Sequence, residues 1–475
     1  MKRKSLIGPA VLAAAVAALP FFAQLQAQPA AAPAGSIRER AAQLRDDALR
    51  SDTLAWEITE GLTTEVGPRL AGTEAEARAR TWAVERLRGL GFSNVRVETF
   101  DMSVWLRGEE RAEIVSPFPQ PLVVTALGNS GATPARGITA EVVGFDTVED
   151  LERAPDTAVR GRIVFVSHGM VPTQDGSGYG YFGRARRDGP SIASRKGAAA
   201  IVIRSIGTEY HRTPHTGVQT FAEGVRPIPA GALSLPDADQ LQRILRRAGE
   251  RPVRMSLTLT PRNIGRRQSG NVFAEVPGRD PDAGIVLVAC HLDSWDLGTG
   301  AFDDASGCGI VAAAAHRIMR AGTALRTIRI VWFGAEEVGL FGGYDYLRRH
   351  GRENHAVIAE SDFGADRVWR FDSRLNPAAR PVVDEIARLL FPLGIVRGST
   401  TEASGSDIGP LSASGVPTIQ LQQDGTRYFD FHHNADDTLD KVDPVQLRQN
   451  VAAWTAMLAV AAEAPGSFGP VEPRR

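Results

Sequence analysis

The apolar run Ile285-Val286-Leu287-Val288-Ala289, with the polar stretch CHLDSWDLGTGAFDDASGCG that follows at 290–309, constrains this chain more than any other segment. Five apolar residues rich in β-branching fit a strand buried on both faces of a parallel sheet. The Ala-rich pattern at 311–319 reads as the helix that follows it. Strand, loop and helix in that order make an α/β unit, and ligands of open α/β sheets bind beyond the carboxyl ends of the strands. His291, Asp293, Asp296, Asp303 and Asp304 fall in that loop. An imidazole with several carboxylates at a strand end has the donor chemistry of a metal site. Asp, Gly and Ser are also ordinary turn formers, so this loop alone leaves a structural turn open.

The carboxyl-terminal half repeats the arrangement. A mostly apolar strand at 327–333 ends on Gly334-Ala335-Glu336-Glu337, and one at 356–359 ends on Glu360-Ser361-Asp362. A strand at 418–421 precedes Phe431-His432-His433-Asn434-Ala435-Asp436-Asp437-Thr438. His291, Asp303, Glu336, Glu337, Asp362 and His433 therefore all lie past strand ends, a coincidence that turn chemistry does not produce. Gathered together, Asp303, Glu337 and Asp362 would repel one another or hold protons unless a cation neutralised them. Two Zn²⁺ ions and one bridging hydroxide balance those three charges, and carboxylate plus imidazole is a donor set that zinc accepts.

Residues 1–27 carry a basic start (Lys2, Arg3, Lys4), an apolar run and a small-residue end at Leu25-Gln26-Ala27, the pattern of a secretory signal peptide. Pro9 and Pro20 interrupt the run, which is short for a membrane span. The expectation is an exported chain, periplasmic or secreted, with no membrane span after the leader is cut. Losing the three leader cations takes the formal charge from −1 to −4, near neutral for this size, which argues against a nucleic-acid partner. Cys290 and Cys308 are the two cysteines. Export permits a disulfide between them, but two buried, unbridged small residues are the reading favoured here.

Residues 28–116 read as linker, two helices and two strands. At Pro117 the texture changes to short β runs with many Gly and Pro residues, continuing to Thr260, as expected of a small β-rich domain inserted into a larger one. Its 176–183 tract, GSGYGYFG, reads as a flexible loop, and His168, His211 and His215 as ordinary surface or packing histidines. From 261 to 475 the α/β pattern resumes and carries the metal-site residues. The inserted segment holds no reactive constellation, so the expectation is a cover over the cleft.

Taken together, HLDSWD with the later Asp-Asp pair, AEE, ESD and FHHNADDT resemble the two-zinc exopeptidase family that includes bacterial leucyl aminopeptidase, glutamate carboxypeptidase and the transferrin receptor. The wording HLDSWDLGTGAFDD is closest to its carboxypeptidase Q branch, and GPRLAGT at 67–73 resembles the family's approach to its first catalytic-domain helix. The resemblance implies a three-layer α/β/α sandwich with a mixed, mainly parallel central sheet, and a protease-associated domain at 117–260. It implies two Zn²⁺ per chain: His291 and Asp362 on one, Glu337 and His433 on the other, Asp303 bridging. Glu336 would be the general base acting on a metal-bridged hydroxide. Asp293 would orient His291, and Asp437 would do the same for His433. The implied activity is hydrolysis of dipeptides or N-terminal residues of short peptides, with a homodimer possible. A glutaminyl-cyclase-like acyltransferase and a non-catalytic binding protein are the alternatives on this scaffold. The resemblance further implies a cis peptide bond between Asp303 and Asp304.

Overall fold

The computed structural model describes residues 36–474 apart from Thr323, so the leader expected at 1–27 lies outside the described residues. An eight-stranded sheet organises the molecule. Numbered in chain order, its strands are β1 (Ser93–Leu106), β2 (Arg262–Val276), β3 (Ile285–His291), β4 (Thr327–Phe333), β5 (His355–Glu360), β6 (Val368–Arg374), β7 (Val396–Arg397) and β8 (Thr418–Gln423). Their order across the sheet is β1-β2-β4-β3-β5-β8-β6-β7. The four central strands β4, β3, β5 and β8 run parallel, flanked by antiparallel pairings on either side. The sheet is thus mixed and parallel where it matters for the site.

Side-chain alternation along β3 and β4 explains the layers. Val286, Val288 and Cys290, with Ile328, Ile330 and Trp332, face one buried cluster, while Leu287, Ala289, Val331 and Phe333 face another. The first cluster is closed by helices Ile37–Ser51, Leu54–Gly61, Ser306–Ala321 and Pro444–Glu463. Phe341–His350 and Gly409–Ala413 close the second through Tyr346 and Leu411. Both faces of the central strands are dry, which is why they read as continuous apolar runs.

A second eight-stranded sheet is built wholly from strands between Glu110 and Leu259. The chain leaves the first sheet at the end of β1 and returns at the start of β2, and Leu106 and Arg262 are register partners there. Glu110–Ser116 already pairs with Arg254–Leu259, so the second sheet begins before the compositional change at Pro117. This region is less purely β than its composition suggests. Its middle strands Ile138–Phe145, Ile163–Val166, Ala200–Arg204 and Ala230–Leu233 are parallel, with helices in the first two of the three connections. The glycine tract expected as a flexible loop includes the helical turn Tyr179–Phe182. Among the described residues, no helix is long and apolar enough to cross a membrane.

Candidate metal centre

Four parallel strands deliver the site at one edge of the sheet. His291 is the last residue of β3, and Glu336 and Glu337 follow β4. Asp362 lies just beyond β5, and His433 sits in the loop after β8 with a left-handed φ of 64°. Asp303 lies in the turn before helix Ser306–Ala321, and its peptide bond to Asp304 is cis. Asp304 fixes that turn by accepting hydrogen bonds from the amides of His291 (3.1 Å) and Gly307 (3.1 Å).

The donor atoms converge. His291 Nε2 lies 3.0 Å from Asp303 Oδ1 and 3.2 Å from Asp362 Oδ1. His433 Nε2 lies 2.9 Å from Glu337 Oε2 and 3.4 Å from Asp303 Oδ2. Asp303 therefore turns one oxygen towards each histidine. Asp303 Oδ2 and Glu337 Oε1 are buried without a hydrogen-bond partner, a costly state for carboxylate oxygens. Two cation positions sharing Asp303 fit this donor set. His432 is the neighbour to distinguish: its Nε2 is 3.8 Å from Asp303 Oδ2, and its ring stacks on His433 with centroids 3.5 Å apart.

Two supporting aspartates differ from expectation. The hydrogen-bond partner of His291 Nδ1 is the backbone carbonyl of Asp293, at 2.9 Å, while the Asp293 carboxylate stands 3.8 Å away and accepts from the Glu336 amide at 3.1 Å. Asp293 so positions both His291 and the Glu336 backbone, because the chain turns sharply after β3. Asp437 was expected behind His433. Its carboxylate instead accepts from the amides of Phe302 (2.6 Å) and Asp303 (3.2 Å), since its loop folds back over that turn. It holds Asp303 in place, and His433 Nδ1 faces Arg186 Nη1 at 3.4 Å.

The electrostatics of the protein alone set the clustered carboxyls against one another. Burial pushes the carboxyls of Glu336 and Glu337 well above the usual range, with Asp362 and Asp303 adding repulsion. Asp303 is raised for the same first cause, burial. Burial disfavours charge on His291, but Asp362 and Asp303 more than offset it and hold its pKa well above the ordinary histidine value. Burial, with the His432 ring and Arg186 beside it, drives His433 well below. A buried cluster of carboxyls with raised pKa values is an arrangement that cations would neutralise.

Comparison with known proteins is decisive. The model of "Peptidase family M28" matches residues 271–458. Carboxypeptidase Q from Bos taurus is 34% identical over 418 residues, covering 87% of this chain and 86% of the bovine protein. This chain belongs to peptidase family M28. A crystal structure of a peptidase M28 precursor from Shewanella amazonensis SB2B has a TM-score of 0.89 and 44% identity, covering 92% of this chain and 99% of that one. A zinc aminopeptidase from Bacillus subtilis shares the fold, with a TM-score of 0.62, 20% identity and coverage of 88% and 97%. As an M28 member the chain is a metallo-exopeptidase.

Several residues that shape this M28 site escaped sequence reasoning. Cys290 and Cys308 form a disulfide, correcting the unbridged reading. Their Cα atoms are 5.2 Å apart, because the helix after the site folds straight back against the end of β3, a separation that sequence does not supply. His215 is the packing histidine of the two alternatives, buried beside the site loop. It meets the His432 carbonyl through Nδ1 at 2.6 Å and Glu209 through Nε2 at 2.9 Å. The Thr216 amide donates to the His433 carbonyl at 2.9 Å. Tyr179 stacks on Phe429, and its hydroxyl meets Arg186 Nη2 at 2.5 Å. Ser406 donates to Asp362 Oδ2 at 2.5 Å. Asp296 forms no part of the donor cluster; it pairs with Arg107 at 2.8 Å. Glu360 accepts from the amides of Asp407 and Ile408.

Proposed function

We propose that this chain is an exported, zinc-dependent exopeptidase that holds two Zn²⁺ and removes single residues from dipeptides or the N-termini of short peptides. His291 and Asp362 would hold one ion, Glu337 and His433 the other, with Asp303 shared. The observation that carries the reading is Asp303, buried between two histidines with one oxygen directed to each. When bound, zinc lowers the pKa of water and polarises a carbonyl oxygen.

The remaining work falls to the chain. Glu336, set by its amide bond to Asp293, takes the proton of the attacking water on its carboxylate. It returns that proton to the leaving nitrogen as the C–N bond breaks and the new C–O bond is complete. A positioned acid–base group of this kind contributes roughly 10²–10⁴ in rate. Asp293 and Asp437 keep His291, Glu336 and Asp303 in register. The segment 117–260 acts as a cover that restricts access to short chains. Its residues Arg186, His215 and Thr216 also brace the His432–His433 loop, so this cover is part of the wall of the site.

The test is a substrate panel with purified mature protein: a free dipeptide, its N-acetyl and amide forms, and a blocked decapeptide. Hydrolysis of the free dipeptide, lost on N-acetylation, supports the aminopeptidase or dipeptidase reading. Cleavage of internal bonds in the blocked decapeptide alone would contradict it.

A further inference from the structure

The GPRLAGT stretch carries a buried cation into the metal centre. Arg69 has no exposed surface. Its guanidinium donates to backbone carbonyls from both ends of one loop: Nε to Leu292 at 2.5 Å, Nη1 to Thr299 at 2.6 Å and Nη2 to Gly300 at 2.9 Å. Leu292 directly follows His291, and Thr299 and Gly300 lead through Ala301 and Phe302 to Asp303. One side chain thus fastens the two ends of the 292–300 excursion whose flanks are His291 and Asp303. Its backbone joins in, since the Arg69 amide donates to Ser294 Oγ at 3.2 Å.

The fit around the guanidinium is close. Gly300 is left-handed, with φ 61°, and a Cβ there would stand 2.9 Å from Arg69 Nη1. A buried guanidinium is ordinarily matched by a carboxylate at contact distance. Here its hydrogen bonds go to carbonyls, and burial holds its pKa below the ordinary arginine value, opposed by the nearby carboxyls of Asp437, Asp293, Asp304 and Asp303. The planar fork of arginine reaches several carbonyls in fixed directions, which a lysine ammonium does not.

We propose that Arg69 is the positioning residue of this metal centre: it fixes the separation of His291 and Asp303 by tying together the two ends of the loop between them. The proposal rests on the zinc-exopeptidase reading for its catalytic consequence, but not for its effect on the loop.

The experiment compares wild type, Arg69→Lys and Arg69→Met as full mature chains. Amide hydrogen exchange in metal-free protein reads the loop directly. Both variants should exchange faster across 292–304, with rates elsewhere unchanged. In zinc-loaded protein, Arg69→Lys should keep its metal and lose about 100-fold in kcat with KM changed less than about threefold, the behaviour of misplaced reacting groups. Arg69→Met should in addition release zinc to a chelator at least about tenfold more readily than Arg69→Lys, because it offers no donor to the three loop carbonyls. Wild-type exchange and kcat in Arg69→Lys would overturn the proposal, as would faster exchange spread evenly over the chain. If Arg69→Met does not fold, Arg69→Lys decides. A wild type with neither zinc nor peptidase activity would sink the functional reading, while the exchange comparison would still judge Arg69.

Discussion

Removing the metal should make the stability of this protein fall steeply with pH, and the fall can be worked from individual carboxyls. Burial, followed by the charge of Asp303, raises Asp437 from 3.8 to about 7. Burial likewise raises Glu76 from 4.5 to about 7, and burial with Asp362 raises Glu360 to about 8. Each folded-state pKa stands above its unfolded value. The folded chain therefore holds protons that the unfolded chain has already released, and stability is lost as pH rises through those values. Between pH 6.5 and 8 the two groups near 7 each account for just under about 1 kcal/mol and Glu360 for somewhat under about 2, a loss of roughly 3 kcal/mol. His291, also raised, adds to the loss. Burial holds His432 and His433 well below the ordinary histidine value, so near pH 6.5 only the unfolded chain protonates them, and they offset a small part of the loss as pH rises. Divalent cations favour the ionised carboxylates and should flatten the profile. Urea midpoints of chelator-treated and zinc-loaded protein at pH 6.5, 7 and 8 make the measurement. A metal-free midpoint that is level or rises across this window would refute the reasoning.

Glu336→Gln should keep its zinc and lose 10²–10⁴ in turnover, whereas Glu337→Gln should lose zinc from one of two positions; elemental analysis beside steady-state kinetics separates them. His215→Ala leaves the buried His432 carbonyl without its partner and should cost about 1–3 kcal/mol of stability together with weaker zinc retention, while His215→Gln should recover part of both. Thermal melts and chelator competition on the pair would show it, and an unchanged His215→Ala would remove the bracing role.

Much of the scaffold was legible because buried parallel strands announce themselves. The runs that became β3, β4 and β5 are apolar on both faces, and each ends on acidic or imidazole groups. β6 and the helix Arg380–Leu390 were not read: β6 opens on two adjacent apolar residues and closes on the polar run Asp372-Ser373-Arg374, which hides its period, and the helix spans only three turns. Around the site, the groups that bind through local sequence were visible and those that act across the fold were not. Arg69 and Leu292 are 223 residues apart, and His215 and His432 are 217 apart. The Asp437 carboxylate found amide partners 134 and 135 residues away, not the histidine near it in sequence. Pairing of Cys290 with Cys308 likewise depends on how the Ser306–Ala321 helix returns to β3.

The most direct test of the account is the metal content of the purified mature protein, measured by mass spectrometry alongside dipeptide hydrolysis before and after chelation. The account predicts close to two zinc ions per chain, loss of hydrolysis as they are removed, and its return when zinc is restored. Full hydrolysis by a metal-free preparation would contradict it.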